Sequence, residues 1–243
     1  MRSRYFCALT SGVGLRRRGS ERRPTCLRDI HLEWNKPGLQ NLILRRLINN
    51  SKVVDLYAFD RESVLTSSQR QDELFERLFP DQVEVGEKQS TTLDWILKRT
   101  SDSTNSSQPR DIILFFNKLC DVQNKRLERG DPEPTGSFLF DRSAFKEALP
   151  ALSEYRVSRV LFAEYPHLRK YIEALREQKT EQNAESLGRL WSLDPDTTKS
   201  IAKQLRDIGM FEERASKSEV TYWVPFVYRP YLDMSQGKVE EIR

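Results

Sequence analysis

The stretch PRDIILFFNKLCDVQNKR, which begins at Pro109, follows a polar Ser/Gln run with an almost unbroken apolar block. A proline suits the first helical position, because its missing N–H would have no partner there. Asp111 suits the positive end of the helix dipole. At about 100° per residue, the apolar side chains cover one broad flank, and Arg110 lies about 140° from its centre. The pattern predicts a helix over 109–129 that is buried on one flank and holds Arg110 out on the other.

Much of the remaining chain shows apolar residues at i, i+3 and i+4, the spacing of amphipathic helices. Pro80 ends one of these patterns, and Pro166 separates two others. The predicted helices span residues 38–50, 68–80, 90–100, 141–149, 153–165 and 167–178. These segments predict a helical bundle up to about residue 166.

The C-terminal part changes character. Two more helices are predicted over 184–191 and 197–208, and Gly209 provides the C′ stop of the second. Residues 210–228 then indicate a strand, a polar turn and a second strand rich in Val, Tyr, Trp and Phe. Helix, helix and two-stranded wing is the order of a winged helix-turn-helix, whose first helix would be 167–178. The predicted fold class is mainly α with a small β wing.

The net charge of +4 is concentrated at the N-terminus. Residues 1–28 hold eight arginines and a single acidic residue, Glu21, for a charge of +7, which leaves the other 215 residues at −3. A segment rich in Arg and Ser and poor in acids is typical of a disordered leader, a transit peptide or a nucleic-acid arm. We interpret residues 1–27 as a basic disordered leader.

Several functional classes are disfavoured by what the sequence lacks. No run approaches the roughly 18–20 apolar residues of a membrane-spanning helix. Three widely spaced cysteines and two histidines provide neither a zinc motif nor a disulfide framework, which favours a reducing cytoplasm. The frame GLRRRGSE, from Gly14 to Glu21, places Ser20 where a phosphate-binding loop needs lysine. No cofactor, ATP or Mg²⁺ included, is expected to be bound by this chain alone.

The second C-terminal helix is the natural candidate for nucleic-acid contact. It would expose Lys199, Lys203 and Arg206, and the following turn carries Lys217. Such residues contact phosphates in duplex DNA. However, residues 186–243 hold nine basic and nine acidic side chains, whereas dedicated DNA readers are usually clearly basic. DNA contact is therefore expected to be weak, and contact with a protein remains the alternative.

Five stretches together resemble the C-terminal half of a group of bacterial P-loop ATPases of the AAA+/STAND-like type. They are LRDIHLEWNKPGLQNLILRRL, LFPDQVEV, LDWILKRTSD followed by PRDIILFFNKL, SEYRVSRVLFAEYPHLRKYIEAL, and RDIGMFEERASKSEVTYWVPFVYRPYL. The resemblance covers roughly residues 28–235 and implies a helical lid followed by a winged helix. It divides the chain into a lid-like domain (28–135), connecting helices (136–166), a winged-helix domain (167–235) and a tail (236–243).

The resemblance also implies roles for particular residues. A Pro-Arg pair at the start of a lid helix is similar to the sensor-2 arginine of such ATPases, so Arg110, with Asp111, becomes a candidate sensor of the γ-phosphate. The family's Walker A lysine and Walker B acid have no counterpart here, so the chain would be a truncated or split portion, inactive alone. Its partner would be an upstream P-loop core or a second copy of itself.

Other interpretations of the same residues remain. Arg110 could instead pair with Asp102, Asp111 or Asp121 at the surface, for under about 1 kcal/mol. The chain could be a winged-helix DNA-binding regulator, or a plain protein-interaction module.

The leader provides the first testable prediction. Deleting residues 1–27 should leave the melting temperature unchanged within error, because a segment this basic and poorly patterned contributes little apolar area to a core. Thermal unfolding of the full-length and shortened chains, followed by circular dichroism, measures this. A cooperative loss of stability would contradict the prediction.

Overall fold

The computed structural model describes residues 34–104, 107–215 and 220–238. The predicted leader (1–27) and Lys217 lie outside these ranges. Within them the chain is mainly helical with a small mixed sheet, so the broad fold class predicted from the sequence is confirmed.

Six helices form the N-terminal part of the described chain. They are α1 Lys36–Leu47, α2 Ser51–Tyr57, α3 Arg61–Thr66, α4 Ser68–Leu78, α5 Thr92–Thr100 and α6 Pro109–Glu128. Of these, α1, α4, α5 and α6 correspond to predicted segments, whereas α2 and α3 were not predicted. The segment predicted as one helix over 38–50 ends at Leu47, and Asn50 caps α2 by accepting a hydrogen bond from the Lys52 N–H. Asparagine favours this capping role over a helix interior.

The helices predicted over 141–149 and 153–165 form one continuous helical run. It consists of α7 Arg142–Glu154, a π-helical segment Tyr155–Leu161 and the short α8 Phe162–Glu164. Pro150 lies inside α7, where it removes a backbone hydrogen bond. The buried face of Ala144, Ala148 and Leu152 packs into the core. Tertiary packing thus outweighs the local break.

The predicted helix 167–178 is shorter than the periodicity indicates. A single 3₁₀ turn, Pro166–Leu168, leads into α9 Arg169–Glu173, and Glu177 then has a left-handed backbone with φ 64°. The Glu177 N–H donates to the Leu232 carbonyl at 2.7 Å. This hydrogen bond fixes the chain just after the end of α9, where it continues into the strand that begins at Lys179.

Four strands form the sheet, two more than the sequence predicted. They are β1 Lys179–Asn183, β2 Glu212–Ala215, β3 Val220–Trp223 and β4 Ser235–Lys238, in the order β2-β3-β1-β4. The hairpin β2–β3 is antiparallel, β1 is antiparallel to β3 and β4 is parallel to β1. Between β1 and β2 lie α10 Ala184–Trp191 and α11 Pro195–Asp207.

The described residues form one compact unit. For example, Ser153 Oγ accepts a hydrogen bond from the Tyr231 N–H at 2.9 Å, across 78 positions of sequence. The domain limits at 135 and 166 remain a prediction. No helix in the described ranges is long and apolar enough to cross a membrane.

The centre of the helical part is an aromatic cluster around Phe145, which is fully buried. Its ring lies 6.1–6.5 Å from four other rings in tilted or edge-to-face arrangements, those of Phe79, Trp95, Phe115 and Phe140. Such pairs add to the stabilisation from buried area. This cluster holds α5, α6 and α7 together and so positions the start of α6.

We expect Phe145→Ala to lower the free energy of unfolding by about 3–5 kcal/mol, because a large buried ring would be replaced by a cavity. Urea denaturation followed by circular dichroism measures the loss. Val85→Ala is the matched control, since Val85 is 71% exposed, and should change stability by under about 0.5 kcal/mol. A similar loss in both variants would contradict the assignment of the cluster.

Candidate functional site

Arg110 occupies the first turn of α6, directly after Pro109. Its side chain is exposed, and Nη2 donates a 2.6 Å hydrogen bond to the Tyr155 hydroxyl. The guanidinium carbon lies 5.2 Å from the centre of the same ring. No carboxylate of the described residues lies within ion-pair distance of Arg110. The guanidinium is thus held by an aromatic group and keeps its charge uncompensated by a salt bridge.

The α6 N-terminus adds to this positive character. Gln108, at the N-cap, makes no side-chain capping hydrogen bond. Helix N-termini carry unpaired N–H groups and the positive end of the dipole, which favour an anion.

Asp111 points the other way, into the interior, where it is 1% exposed. Its Oδ2 lies 3.4 Å from Nη1 of Arg156, while Oδ1 has no hydrogen-bond partner. The two adjacent residues predicted to sense a nucleotide therefore face in different directions. Arg110 lies at the surface, whereas Asp111 lies in a buried ion pair.

Arg156 is the centre of that buried cluster. Its Nη2 lies 3.6 Å from Asp102 Oδ2 and donates to the Tyr228 hydroxyl at 3.2 Å. The backbone around Asp102 is also tied to the C-terminal part, because the Ser103 N–H donates to the Gly209 carbonyl at 3.1 Å. Gly209 has φ 81°, and a Cβ there would lie 3.3 Å from the Asp102 side chain. Glycine at this position therefore allows the close approach.

The electrostatics of the cluster favour a charged arginine. Burial pushes the pKa of Arg156 down, but Tyr228, Asp111 and Asp102 together raise it above its ordinary value. Burial raises the pKa of Asp111, and the attraction of Arg156 only partly opposes this. Burial also raises the pKa of Tyr228 to about 12. Arg156 thus stays protonated, and Asp111 takes up a proton more readily than an ordinary aspartate.

The candidate nucleic-acid contacts on α11 are only partly available. Lys199 and Lys203 are exposed, and neither forms an ion pair with any residue that the structure describes. Arg206 instead binds Glu213 and Asp207, each at 2.8 Å. Lys217 lies outside the described residues. The helix therefore offers two lysines, with its arginine already neutralised.

A groove elsewhere in this unit brings together residues that the sequence did not connect. Trp34 and Trp223 both line it, and Trp34 is 48% exposed. Arg214 on β2 stacks over Trp223, with its guanidinium carbon 3.7 Å from the ring centre. The pairing of β2 with β3 places Arg214 and Trp223 on the same face of the hairpin. No periodic signal would have brought Trp34 to them.

The described ranges contain no cluster of three or more His, Cys, Asp or Glu side chains that could hold a metal ion. No family model, curated protein or solved structure matches the chain.

The acid–base properties of Asp111 provide a prediction. Because its pKa is raised on folding, this carboxyl group stabilises the protein when protonated, fully below the ordinary Asp value, and the contribution is lost as pH rises through the folded pKa. Asp111→Asn should therefore remove a component of stability that grows on acidification. Urea unfolding from neutral to acidic pH, compared between wild type and variant, measures this difference.

Asp94→Asn is the control of opposite sign. A hydrogen bond from Lys36 is the main cause that lowers the pKa of Asp94. Its stabilisation is present above the ordinary Asp value and is lost as pH falls through the lowered pKa. Wild-type and Asp111→Asn curves of the same shape would contradict the assignment for Asp111.

Proposed function

We propose that this chain is the lid and winged-helix portion of a cytoplasmic P-loop ATPase, with Arg110 contacting the terminal phosphate of a bound nucleotide. The core that binds ATP and Mg²⁺ would come from another segment or chain, because the Walker A lysine and Walker B acid have no counterpart in this sequence. The observation that carries the proposal is the exposed Arg110 guanidinium, unpaired with any described carboxylate, at the N-terminus of α6.

The chemistry of Arg110 suits this role. A guanidinium stays charged at any physiological pH and can hold phosphate oxygens through two parallel hydrogen bonds. The contact with Tyr155 limits the conformations of the side chain, which reduces the entropy that binding would cost. Helix N-termini favour anions as well. Charge placed at a γ-phosphate stabilises the transition state of phosphoryl transfer.

The C-terminal part supports the winged-helix assignment. The order α9, β1, α10, α11, β2, β3, with β1 beside β3, provides three helices followed by a hairpin. In this proposal the module contacts another protein or a second copy of the chain. The neutralisation of Arg206 by Asp207 and Glu213 favours such a contact over tight DNA binding.

A winged-helix DNA-binding regulator is the second candidate. The exposed Lys199 and Lys203 on α11 favour it, because they lie on the helix that would enter a major groove. Two lysines can release few counterions, so binding through α11 would be weak and steeply reduced by salt.

The test compares hydrolysis with and without a core. The isolated chain should hydrolyse no ATP above background, since one arginine supplies only the charge at the γ-phosphate. When a P-loop core that copurifies with the chain is added, Arg110→Ala should lower the rate by tens- to thousands-fold, about 2–4 kcal/mol. A coupled phosphate-release assay measures both.

Two variants sharpen the experiment. Arg110→Lys should rescue poorly, because a point charge lacks the planar fork. Arg45→Ala, on the exposed surface of α1, is the matched control and should change little. Equal rates for wild type and Arg110→Ala would refute the sensor role and leave Arg110 as a surface residue stacked on Tyr155.

A further inference from the structure

An open groove of about 600 Å³ lies between the start of α1, the end of α5 and the hairpin β2–β3. Its volume falls within the range of small-ligand sites. Aromatic and basic side chains contribute to its lining, among them Trp34, Lys36, Lys98, Arg214, Trp223 and Phe226.

The hairpin contributes one face to this groove and the other to the core. Strand residues alternate between faces, and the register places Glu212 opposite Trp223 and Arg214 opposite Thr221. These side chains share the groove face. Tyr222, on the opposite face, is buried with its ring centre 5.5 Å from that of Phe211. The groove is therefore distinct from the α11 surface, whose Arg206 binds Glu213 on that opposite face.

Behind the groove, arginines and aromatic rings alternate. Arg99 lies 4.2 Å from the Trp95 ring centre and 5.0 Å from that of Phe226. Arg229 lies 3.9 Å from Phe226 and 4.5 Å from Trp223. Arg214 lies over Trp223 as well. Three guanidinium groups thus make cation–π contacts with the rings of Trp95, Trp223 and Phe226.

This stack carries positive charge that the described residues do not fully neutralise. Arg99 pairs with Glu84 at 3.3 Å and Arg214 with Glu212 at 2.9 Å. Arg229 is 8% exposed and forms no such pair; its Nε donates to the Val224 carbonyl, and its Nη2 has no hydrogen-bond partner. Burial, and then repulsion by Arg214 and Arg99, lowers the pKa of Arg229 to about 10. Charged Arg229 would therefore be stabilised by a nearby anion.

The exposed side of the groove adds a further cation. Lys36 pairs with Asp94 at 2.6 Å, whereas Lys98 forms no ion pair with any described carboxylate. The two acids of the lining are already engaged, Asp102 by Arg156 and Glu212 by Arg214. Lys36 and Arg214 share their charge with Asp94 and Glu212, so Lys98 is the lining cation that an entering anion would meet without a paired carboxylate.

We propose that this groove binds an unpaired segment of nucleic acid, with bases on Trp34 and on the plane of Arg214, and phosphates near Lys98 and Lys36. Grooves that combine stacking side chains with positive charge are the general solution for single strands. Arginine planes stack on bases as aromatic rings do. The site is separate from Arg110, so it neither requires nor supports the ATPase assignment.

The test is fluorescence anisotropy of a short fluorescein-labelled oligothymidylate with the full chain at several salt concentrations. Trp34→Ala and Arg214→Ala should each weaken binding by about five- to hundred-fold through lost stacking. Lys98→Ala removes one phosphate contact. Affinity should therefore fall less steeply with salt, with a slope of log affinity against log salt that is smaller in magnitude by about 0.7. The arginine-rich leader is present in every variant, and the differences between variants are compared.

Arg214→Lys separates stacking from charge: it keeps the charge but loses the plane, and should bind nearly as weakly as Arg214→Ala. Lys125→Ala, an exposed lysine of α6, is the matched control for Lys98→Ala and should leave affinity unchanged. Circular dichroism confirms the fold of each variant.

Three results would overturn the proposal. The first is unchanged affinity in Trp34→Ala and Arg214→Ala. The second is equal affinity for adenosine monophosphate and the oligonucleotide, which would assign the groove to free nucleotides. The third is displacement of the oligonucleotide by an equal concentration of duplex DNA together with loss of binding in Lys199→Ala/Lys203→Ala, which would move nucleic-acid contact to α11.

Discussion

The buried guanidinium of Arg156 connects parts of the chain that are far apart in sequence. Its partners are Asp102 in the loop after α5, Asp111 at the start of α6 and Tyr228 in the segment after β3. Removing a charge from water costs several kcal/mol unless its partners are in place. The helical part and the segment after β3 must therefore pack together for this arginine to be buried.

The same cluster connects the two surfaces for which we propose functions. Arg110 and Asp111 are adjacent on α6 and contact Tyr155 and Arg156, which are adjacent on the π-helical segment. The contact between Arg110 and Tyr155 is exposed, and the one between Asp111 and Arg156 is buried. Arg156 also donates a hydrogen bond to Tyr228, which precedes Arg229 in the sequence. π-Helical segments occur often at functional sites. A ligand bound by Arg110 would thus contact α6, the helix that also contributes Asp111 to the buried ion pair with Arg156.

The sequence indicated the α6 helix, its proline start and the outward direction of Arg110, since each depends on local periodicity and N-terminal chemistry. It did not indicate β1, because the sequence KTEQN has no apolar alternation even though Thr180 and Gln182 are buried. It also paired Asp111 with Arg110 as a sensor, whereas burial separates their environments.

What the sequence determined by itself is the longer amphipathic helices, such as α4, α5, α6 and α11, together with the proline start of α6 and the glycine after α11. Residues three and four apart must share a helix face, and proline and glycine act on their neighbours. Tertiary structure alone decided the Arg156 cluster, the alternating arginines and rings behind the groove, and the pairing of β1 with β3 and β4. Each of these joins residues many positions apart, and their charges are buried only where distant segments supply the partners at once.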